Sequence, residues 1–118
     1  MICTPEEHDK LMVTIQSLRH FLTFSLGIFL AEEGVDIQRS LELSSPSYRE
    51  LIEMTNRLFS QSAELVTDIM LFTQERREAI VKLADTFNRL AKLAVDNDRE
   101  SLIGEFQSAQ SIWTALSS

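Results

Sequence analysis

The chain has 118 residues, of which 44% are hydrophobic and 25% charged, and its formal net charge at pH 7 is −7. This length allows one domain with one core, and the acidic balance argues against nucleic acid and anionic membranes as partners. The single cysteine, Cys3, cannot form an internal disulfide, which is typical of a reducing compartment. No secretory signal is recognisable, and the apolar run 21–31 is shorter than the about 20 residues that span a bilayer. We therefore expect a cytoplasmic protein.

The N-terminal third is predicted to form one long helix. Residues 1–4 look like the remnant of a preceding strand or linker, and residues 5–118 are predicted to form an all-helical domain. Thr4 can cap the first helix, Pro5 suits its first position, and Glu7 can complete a capping box. Gly34 is a typical C-terminal stop. A short connector is expected to follow, through Ser44.

Two stripes share this first helix. Apolar residues recur at three- and four-residue steps, which predicts an apolar face; they are Leu11, Met12, Ile15, Leu18, Leu22, Leu26 and Phe29. A second face carries polar residues and a glycine at the same steps; these are Asp9, Gln16, His20, Thr23 and Gly27. Buried polar groups cost free energy unless they have partners. Either another part of the protein satisfies them, or a ligand does.

Three more helices are predicted. Ser45-Pro46 marks the start of the second, which breaks near residues 60–62. The third runs from Ala63 to about Val95 without Gly or Pro, so at 1.5 Å per residue it would be roughly 45–50 Å long. A compact domain of this length is only about 35 Å across. We therefore expect a second subunit to cover the helix. Residues 96–98 are predicted to cap the last helix, whose Trp113 belongs to the core or a dimer interface.

Motifs for cofactors are lacking in the sequence. Its three glycines lie far apart, so no phosphate loop or dinucleotide fingerprint is formed, and no metal-ligand spacing occurs. We expect this chain to bind no cofactor and no metal. It also offers no catalytic residue that can be assigned from spacing alone.

The candidate site residues are a histidine, an amide and an arginine. His20 can be a hydrogen-bonded core histidine, but Gln16 one turn earlier favours a polar pocket. Arg57 is spaced four and eight residues from Glu53 and Arg49. It therefore belongs either to a solvated ion-pair ladder or to a site where it grips a carboxylate. Arg76 interrupts an apolar stripe, and we expect its stem to lie along the core with its charged head in water.

At this point the sequence resembles a known family, the C-terminal domain of prephenate dehydrogenase, most closely the type fused to chorismate mutase. The matching segments keep the family's order and spacing over nearly the whole chain. They are His8-Asp9, residues 16–21 (QSLRHF), residues 44–49 (SSPSYR) and residues 56–59 (NRLF). The chain departs from the family at Ser62-Ala63, where relatives have Asp-Pro.

The resemblance implies an enzyme that oxidises prephenate with NAD and releases carbon dioxide to give 4-hydroxyphenylpyruvate, on the route to tyrosine. It implies that an N-terminal domain, absent from this chain, binds NAD and carries the catalytic histidine, so that the isolated chain is inactive. The helical domain would intertwine with its twin in a homodimer and bind substrate. Arg57 then binds a prephenate carboxylate, His20 lies near the substrate and is linked to tyrosine inhibition, and Gln16 occupies a substrate-contacting position.

Two other functions remain open from the sequence. One is a free-standing helical dimer that regulates or holds a partner chain. The other is a chorismate mutase, because all-helical mutases are intertwined dimers of similar length. The several Arg and Lys residues that a mutase site needs do not form that family's pattern here.

Overall fold

The structure is a computed structural model that describes residues 4–117, so residues 1–3 of the remnant predicted at residues 1–4 lie outside the described residues. Every element found in the described range is helical, which confirms the all-α prediction. The chain divides into two compact units, the first ending at Ile80 and the second beginning at Val81. The helices are α1 (Pro5–Met12), a π-helical segment (Val13–Leu18), α2 (Arg19–Glu32), α3 (Ile37–Glu42), α4 (Pro46–Phe59), α5 (Ala63–Leu71), α6 (Gln74–Val95) and α7 (Arg99–Ser117).

The first helix begins and ends as its sequence predicts. The Thr4 hydroxyl accepts a hydrogen bond from the Glu7 N–H at 3.1 Å, and the Glu7 carboxylate accepts from the Thr4 N–H at 3.3 Å. Gly34 has φ of 64°, a left-handed conformation that costs glycine little. The N–H groups of Gly34 and Val35 donate back to carbonyl oxygens of α2. This is the Schellman arrangement, which satisfies the last carbonyls of the helix.

Burial in this helix is the reverse of that in a simple core helix, because polar side chains are buried and apolar ones are partly exposed. The side chains with little exposure include three polar ones, and the buried set is Val13, Ser17, His20 and Thr23. Much of the apolar face is about half exposed, as at Leu11 (50%) and Leu22 (51%). An apolar face left uncovered within one chain indicates a surface for a partner.

The continuous helical run Pro5–Glu32 is long and apolar enough to cross a membrane, with a mean hydropathy of 1.2 over its most apolar 18-residue window. The sequence argument against a span rested on the shorter run 21–31 and does not apply to the whole helix. A core helix of a soluble protein meets the same criterion. This one packs against α4 and α5, and 22% of that window is buried.

A short helix, α3, occupies the stretch that the sequence analysis predicted as a short connector. The Asp36 carboxylate caps it by accepting from the Arg39 N–H at 3.1 Å. The Tyr48 hydroxyl of α4 donates to the Ser40 hydroxyl at 3.0 Å. The second contact ties α3 to α4. The helix has only six residues, too few for a clear period in the sequence.

Helix α4 packs closely on α2. Ser45 and Pro46 occupy its first positions as predicted, although the Ser45 side chain makes no capping hydrogen bond. A Cβ atom on Gly27 would meet the ring of Phe59 and lie 3.1 Å from Thr55 Cγ2. Phe24 contacts Phe59 edge-to-face, with ring centroids 6.0 Å apart. Glycine therefore permits the close approach of the two helices.

The long third helix is not formed, and this prediction was wrong. Within the range predicted for it, the helix stops at Leu71 and restarts at Gln74, and the longer of the two pieces has 22 residues. The Thr73 hydroxyl accepts from the Arg76 N–H at 3.2 Å, as an N-cap does. Arg77 Nη1 donates to the Leu71 carbonyl at 2.7 Å. Side chains thus supply the hydrogen bonds that the interrupted backbone lacks.

The first unit has a small core. Leu58, Val66 and Met70 form its buried cluster, with Phe21, Phe24 and Ile80 partly buried against it. In the second unit, Asn97 ends α6 with φ of 53°, and the Asp98 carboxylate caps α7 by accepting from the Ser101 N–H at 3.1 Å. The predicted start of the last helix is confirmed. Its apolar residues are exposed, Trp113 at 70%.

Candidate functional site

A pocket of about 140 Å³ lies where α2 meets the C-terminal half of α4. We call it the cationic pocket, and its lining residues are Arg19, His20, Thr23, Met54, Arg57, Leu58 and Gln61. Two arginines line it and no acidic residue does. The whole chain has 18 acidic and 11 basic residues, so the pocket has the opposite charge balance to the chain. Such a pocket attracts anions.

Neither arginine of the pocket is neutralised by the protein. Within the described range, the guanidinium groups of Arg19 and Arg57 make no hydrogen bond, and the one ion pair found joins Arg89 and Glu105 at 2.8 Å in the second unit. The ladder of Arg49, Glu53 and Arg57 is therefore not formed. Arg49 instead donates from Nη2 to the Leu41 carbonyl at 3.1 Å. Arg57 is left with all its donors available for a ligand.

His20 is held neutral at the wall of this pocket. Its residue surface is only 7% exposed, and burial lowers its pKa, with further lowering by the positive charges of Arg19 and Arg76. A neutral imidazole has one donor and one acceptor nitrogen. In the described part of the chain neither nitrogen has a protein partner. His20 can therefore donate to an uncharged oxygen of a ligand without adding charge.

Thr23 and Gln61 complete the polar lining, but their donors are partly used. The Thr23 hydroxyl lies 3.0 Å from the Arg19 carbonyl and 3.2 Å from the His20 carbonyl. Gln61 Nε2 donates to the Arg57 carbonyl at 3.3 Å. Both side chains thus donate to backbone carbonyl oxygens, and their own oxygens can still accept. Sequence reasoning missed Arg19 and Gln61; for Arg19 the adjacency to His20 was the available signal.

The third predicted site residue, Gln16, is not among those lining the cationic pocket. Its Oε1 accepts a hydrogen bond from Arg76 Nη2 at 3.3 Å. Arg76 Nη1 also donates to the Ser17 hydroxyl at 3.1 Å and to the Ile69 carbonyl at 2.7 Å. We call these four residues the Arg76 network. It joins the π-helical segment to the end of α5.

The prediction for Arg76 was wrong, because its head is buried rather than in water. Arg76 is 8% exposed, and its guanidinium lies 5.4 Å from the centroid of the Phe72 ring. Ser17, which is fully buried, itself donates to the Ile69 carbonyl at 3.2 Å. The break between α5 and α6 frees that carbonyl to accept. A buried guanidinium without hydrogen bonds would be costly, and here neutral acceptors supply them.

A larger groove of about 400 Å³ lies on the other side of the α2–α4 contact, beside Gly27 and Phe59. No charged side chain lines it. Its lining therefore offers no charged group to neutralise a carboxylate. The described residues also contain no group of three His, Cys, Asp or Glu placed to hold a metal ion.

The fold and the pocket define, over the described residues, an all-helical domain with a small pocket lined by two arginines. The sequence profile of the family described as "Prephenate dehydrogenase, dimerization domain" matches residues 4–108. The chain therefore belongs to the prephenate dehydrogenase dimerisation-domain family. This confirms the resemblance found from the sequence segments.

Relatives in three organisms agree with this assignment. The T-protein of Enterobacter agglomerans is 39% identical over 100 residues, covering 85% of this chain and 27% of that protein. The T-protein of Haemophilus influenzae is 40% identical over 100 residues, covering 85% and 26%. A probable arogenate/prephenate dehydrogenase of Methanocaldococcus jannaschii is 31% identical over 103 residues, covering 87% and 23%. The chain thus spans about a quarter of the length of these relatives.

Proposed function

We propose that this chain is the substrate-binding and dimerisation domain of an NAD-dependent prephenate dehydrogenase of the type fused to chorismate mutase. The enzyme oxidises prephenate to 4-hydroxyphenylpyruvate with loss of carbon dioxide, on the route to tyrosine. The substrate assignment rests on one observation. Arg19 and Arg57 line a pocket that has no acidic residue, and among the described residues neither guanidinium has an ion-pair partner. Prephenate is a dianion with a ketone and a hydroxyl, so it needs cationic groups for its carboxylates and neutral donors for its other oxygens.

In this proposal Arg57 binds a carboxylate of prephenate, and His20 contacts a neutral oxygen. The guanidinium of Arg57 can form two parallel hydrogen bonds to a carboxylate. The lowered pKa of His20 keeps the imidazole neutral, so it orients the ligand by hydrogen bonding alone. The same pocket can receive the carboxylate of tyrosine, which makes tyrosine a candidate inhibitor at this site.

Gln16 is proposed as a neighbouring substrate contact. Arg76 has only donors, so the Gln16 amide must present its oxygen to Arg76, as it does at 3.3 Å. The amide nitrogen then keeps both protons for other acceptors. Gln16 can donate to a ligand that extends beyond the cationic pocket, toward the turn that precedes His20.

The redox chemistry is assigned to a second domain. The described residues of this chain offer no dinucleotide loop and no hydride acceptor. We propose that an N-terminal dinucleotide-binding domain holds NAD and supplies the catalytic histidine. On this account the chain alone binds prephenate but does not oxidise it, and it acts in the cytoplasm.

The dimer is proposed to cover exposed apolar surfaces of each unit. In the first unit the surface is the outer face of the first helix, where Ile15 and Phe29 are 49% and 55% exposed. In the second unit it is formed by apolar residues of α6 and α7, among them Phe106 and Trp113. Exposed apolar area on this scale in a short chain is typical of an interface. Trp113→Glu should therefore convert a dimer to a monomer in sedimentation velocity experiments.

Titration of the isotopically labelled chain with prephenate, followed by NMR, tests the substrate assignment at millimolar sensitivity. The expected result is that the shifts concentrate on Arg19, His20, Arg57 and Gln61. Arg57→Met should remove most of them, and Arg39→Met should not, because Arg39 is exposed on α3 outside the pocket. Shifts centred on the apolar groove at Gly27, or none, would contradict the proposal.

A further inference from the structure

Arg19 lies in the cationic pocket, and the proposed function assigns it no role. Its side chain lines the pocket together with Arg57, and within the described residues its guanidinium has no hydrogen-bond or ion-pair partner. Arg19 also lowers the pKa of His20, second only to burial. Its positive charge is therefore felt inside the pocket rather than only in the solvent around α2.

The two arginines come from different helices. Arg19 begins α2 and Arg57 lies in the last turn of α4, and the packing of these two helices places both at one pocket. Two like charges at one site repel each other. No carboxylate of the described chain enters the pocket to offset this repulsion. A ligand with two separate negative groups would offset it completely, whereas a ligand with one would leave a positive charge unmatched.

We propose that Arg19 is a second carboxylate-binding residue, so that the pocket holds a dicarboxylate with one carboxylate at Arg57 and the other at Arg19. This inference rests on the proposed function, which supplies prephenate as the ligand and Arg57 as its first anchor. It adds that the pocket discriminates between substrate and product, because the reaction removes one carboxylate as carbon dioxide. The product 4-hydroxyphenylpyruvate has one carboxylate, so it can engage only one of the two arginines. It should therefore bind more weakly than prephenate.

Affinities of the chain for prephenate and for 4-hydroxyphenylpyruvate, measured by NMR titration, test this specificity. The variants are Arg19→Met, Arg19→Lys and Arg57→Met, and Arg39→Met is the control that loses the same charge outside the pocket. Arg19→Met should weaken prephenate binding at least about tenfold relative to Arg39→Met, because a charge-assisted carboxylate contact is lost. Arg19→Lys should recover part of that loss, since it restores the charge without the bidentate geometry.

The affinity for the product shows which arginine holds the carboxylate that departs as carbon dioxide. In one of the two methionine variants, prephenate and product should bind with similar affinity, because that variant lacks the arginine that holds the departing carboxylate. In the other variant both ligands should weaken together. Backbone spectra that match the wild type outside the pocket would show that Arg19→Met is folded.

Two results would overturn the inference, and they are distinguishable. If Arg19→Met binds prephenate like Arg39→Met while Arg57→Met is weakened, Arg19 is not a carboxylate ligand and the proposed function stands. If Arg57→Met also binds like the control, the pocket is not the prephenate site and both proposals fail.

Discussion

The Arg76 network and the cationic pocket use the same kinds of side chain in opposite ways. In the network, one buried guanidinium donates to Gln16, Ser17 and the Ile69 carbonyl at 2.7–3.3 Å. In the pocket, two guanidinium groups and an imidazole have no such partners among the described residues. Both regions include residues of the helical run Pro5–Glu32, and these residues lie within about two turns of each other.

The difference answers the question that the polar stripe of the first helix raised. Polar groups in an apolar helix are satisfied either by the protein or by a ligand. Gln16 of this stripe is satisfied by the protein, because its Oε1 accepts a hydrogen bond from Arg76 Nη2 at 3.3 Å. His20 is one turn further along and borders a pocket. We expect changes in the network to affect the stability of the fold, and changes in the pocket to affect ligand binding.

The largest expected effect is the loss of Arg76. Arg76→Ala removes three hydrogen bonds and a packed stem, and should lower the free energy of unfolding by about 3 kcal/mol. Urea denaturation measures this. Arg77→Ala is the matched control, because Arg77 is exposed and donates only to the Leu71 carbonyl. Equal effects of the two variants would mean that burial of Arg76 has no structural role.

Loss of Arg57 should come next, and it should affect catalysis rather than folding. In a polypeptide that joins this domain to its dinucleotide-binding domain, Arg57→Ala should raise KM for prephenate about ten- to a hundredfold, for a contact of roughly 1.5–3 kcal/mol. Turnover should fall much less. Steady-state kinetics decide the matter, and an unchanged KM would rule out Arg57 as a carboxylate ligand.

Ser17 is expected to have an intermediate effect on stability. Ser17→Ala deletes the hydroxyl that lies between Arg76 and the Ile69 carbonyl, and should cost about 1–2 kcal/mol. Ser25→Ala on the same helix is the control, since Ser25 is exposed and its hydroxyl donates to the Phe21 carbonyl at 2.8 Å. A smaller loss for Ser17 than for Ser25 would contradict the network.

The smallest effect is a pH dependence that arises from His20. Because its folded pKa lies below the ordinary value of 6.5, the unfolded chain binds a proton more readily between that value and the folded pKa. Stability should therefore fall as the pH is lowered through about 6.5. His20→Asn should reduce this slope, and His8→Asn should not, because His8 is exposed. Urea denaturation at several pH values measures the slopes, and identical slopes would show that His20 does not contribute.

Local signals in the sequence predicted most of the helix boundaries. Thr4, Gly34 and the break near Ser60 depend on caps and backbone conformation, which act within a few residues. The break at Phe72-Thr73 was missed because no Gly or Pro marks it. Thr73 caps the helix that restarts there, and Arg76 meets Ser17, 59 positions away in sequence. The short helix α3 was missed because its stabilising contact, between Tyr48 and Ser40, is tertiary.

The candidate site could be predicted only in part, because it too combines local patterns with contacts between residues far apart in sequence. His20 and Arg57 were candidates from helical spacing, with two interpretations left open for each, and the family resemblance assigned them to a substrate site. The packing of α2 on α4 brings them to one pocket. Arg19 was missed because helical spacing places it beside His20 rather than on its face. Gln16 was placed with His20 by spacing, yet its amide is engaged by an arginine from a later helix.

The most direct test of the division between network and pocket is the thermal unfolding of two variants, each with and without prephenate. A ligand at ten times its Kd stabilises the folded state by about 1.4 kcal/mol, so the ligand-induced rise in Tm reports binding while the Tm without ligand reports stability. We predict that Ser17→Ala lowers Tm but keeps the ligand-induced rise, and that Arg57→Met keeps Tm but loses the rise. If both variants change the two quantities together, the network and the pocket are one structural unit and the account is wrong.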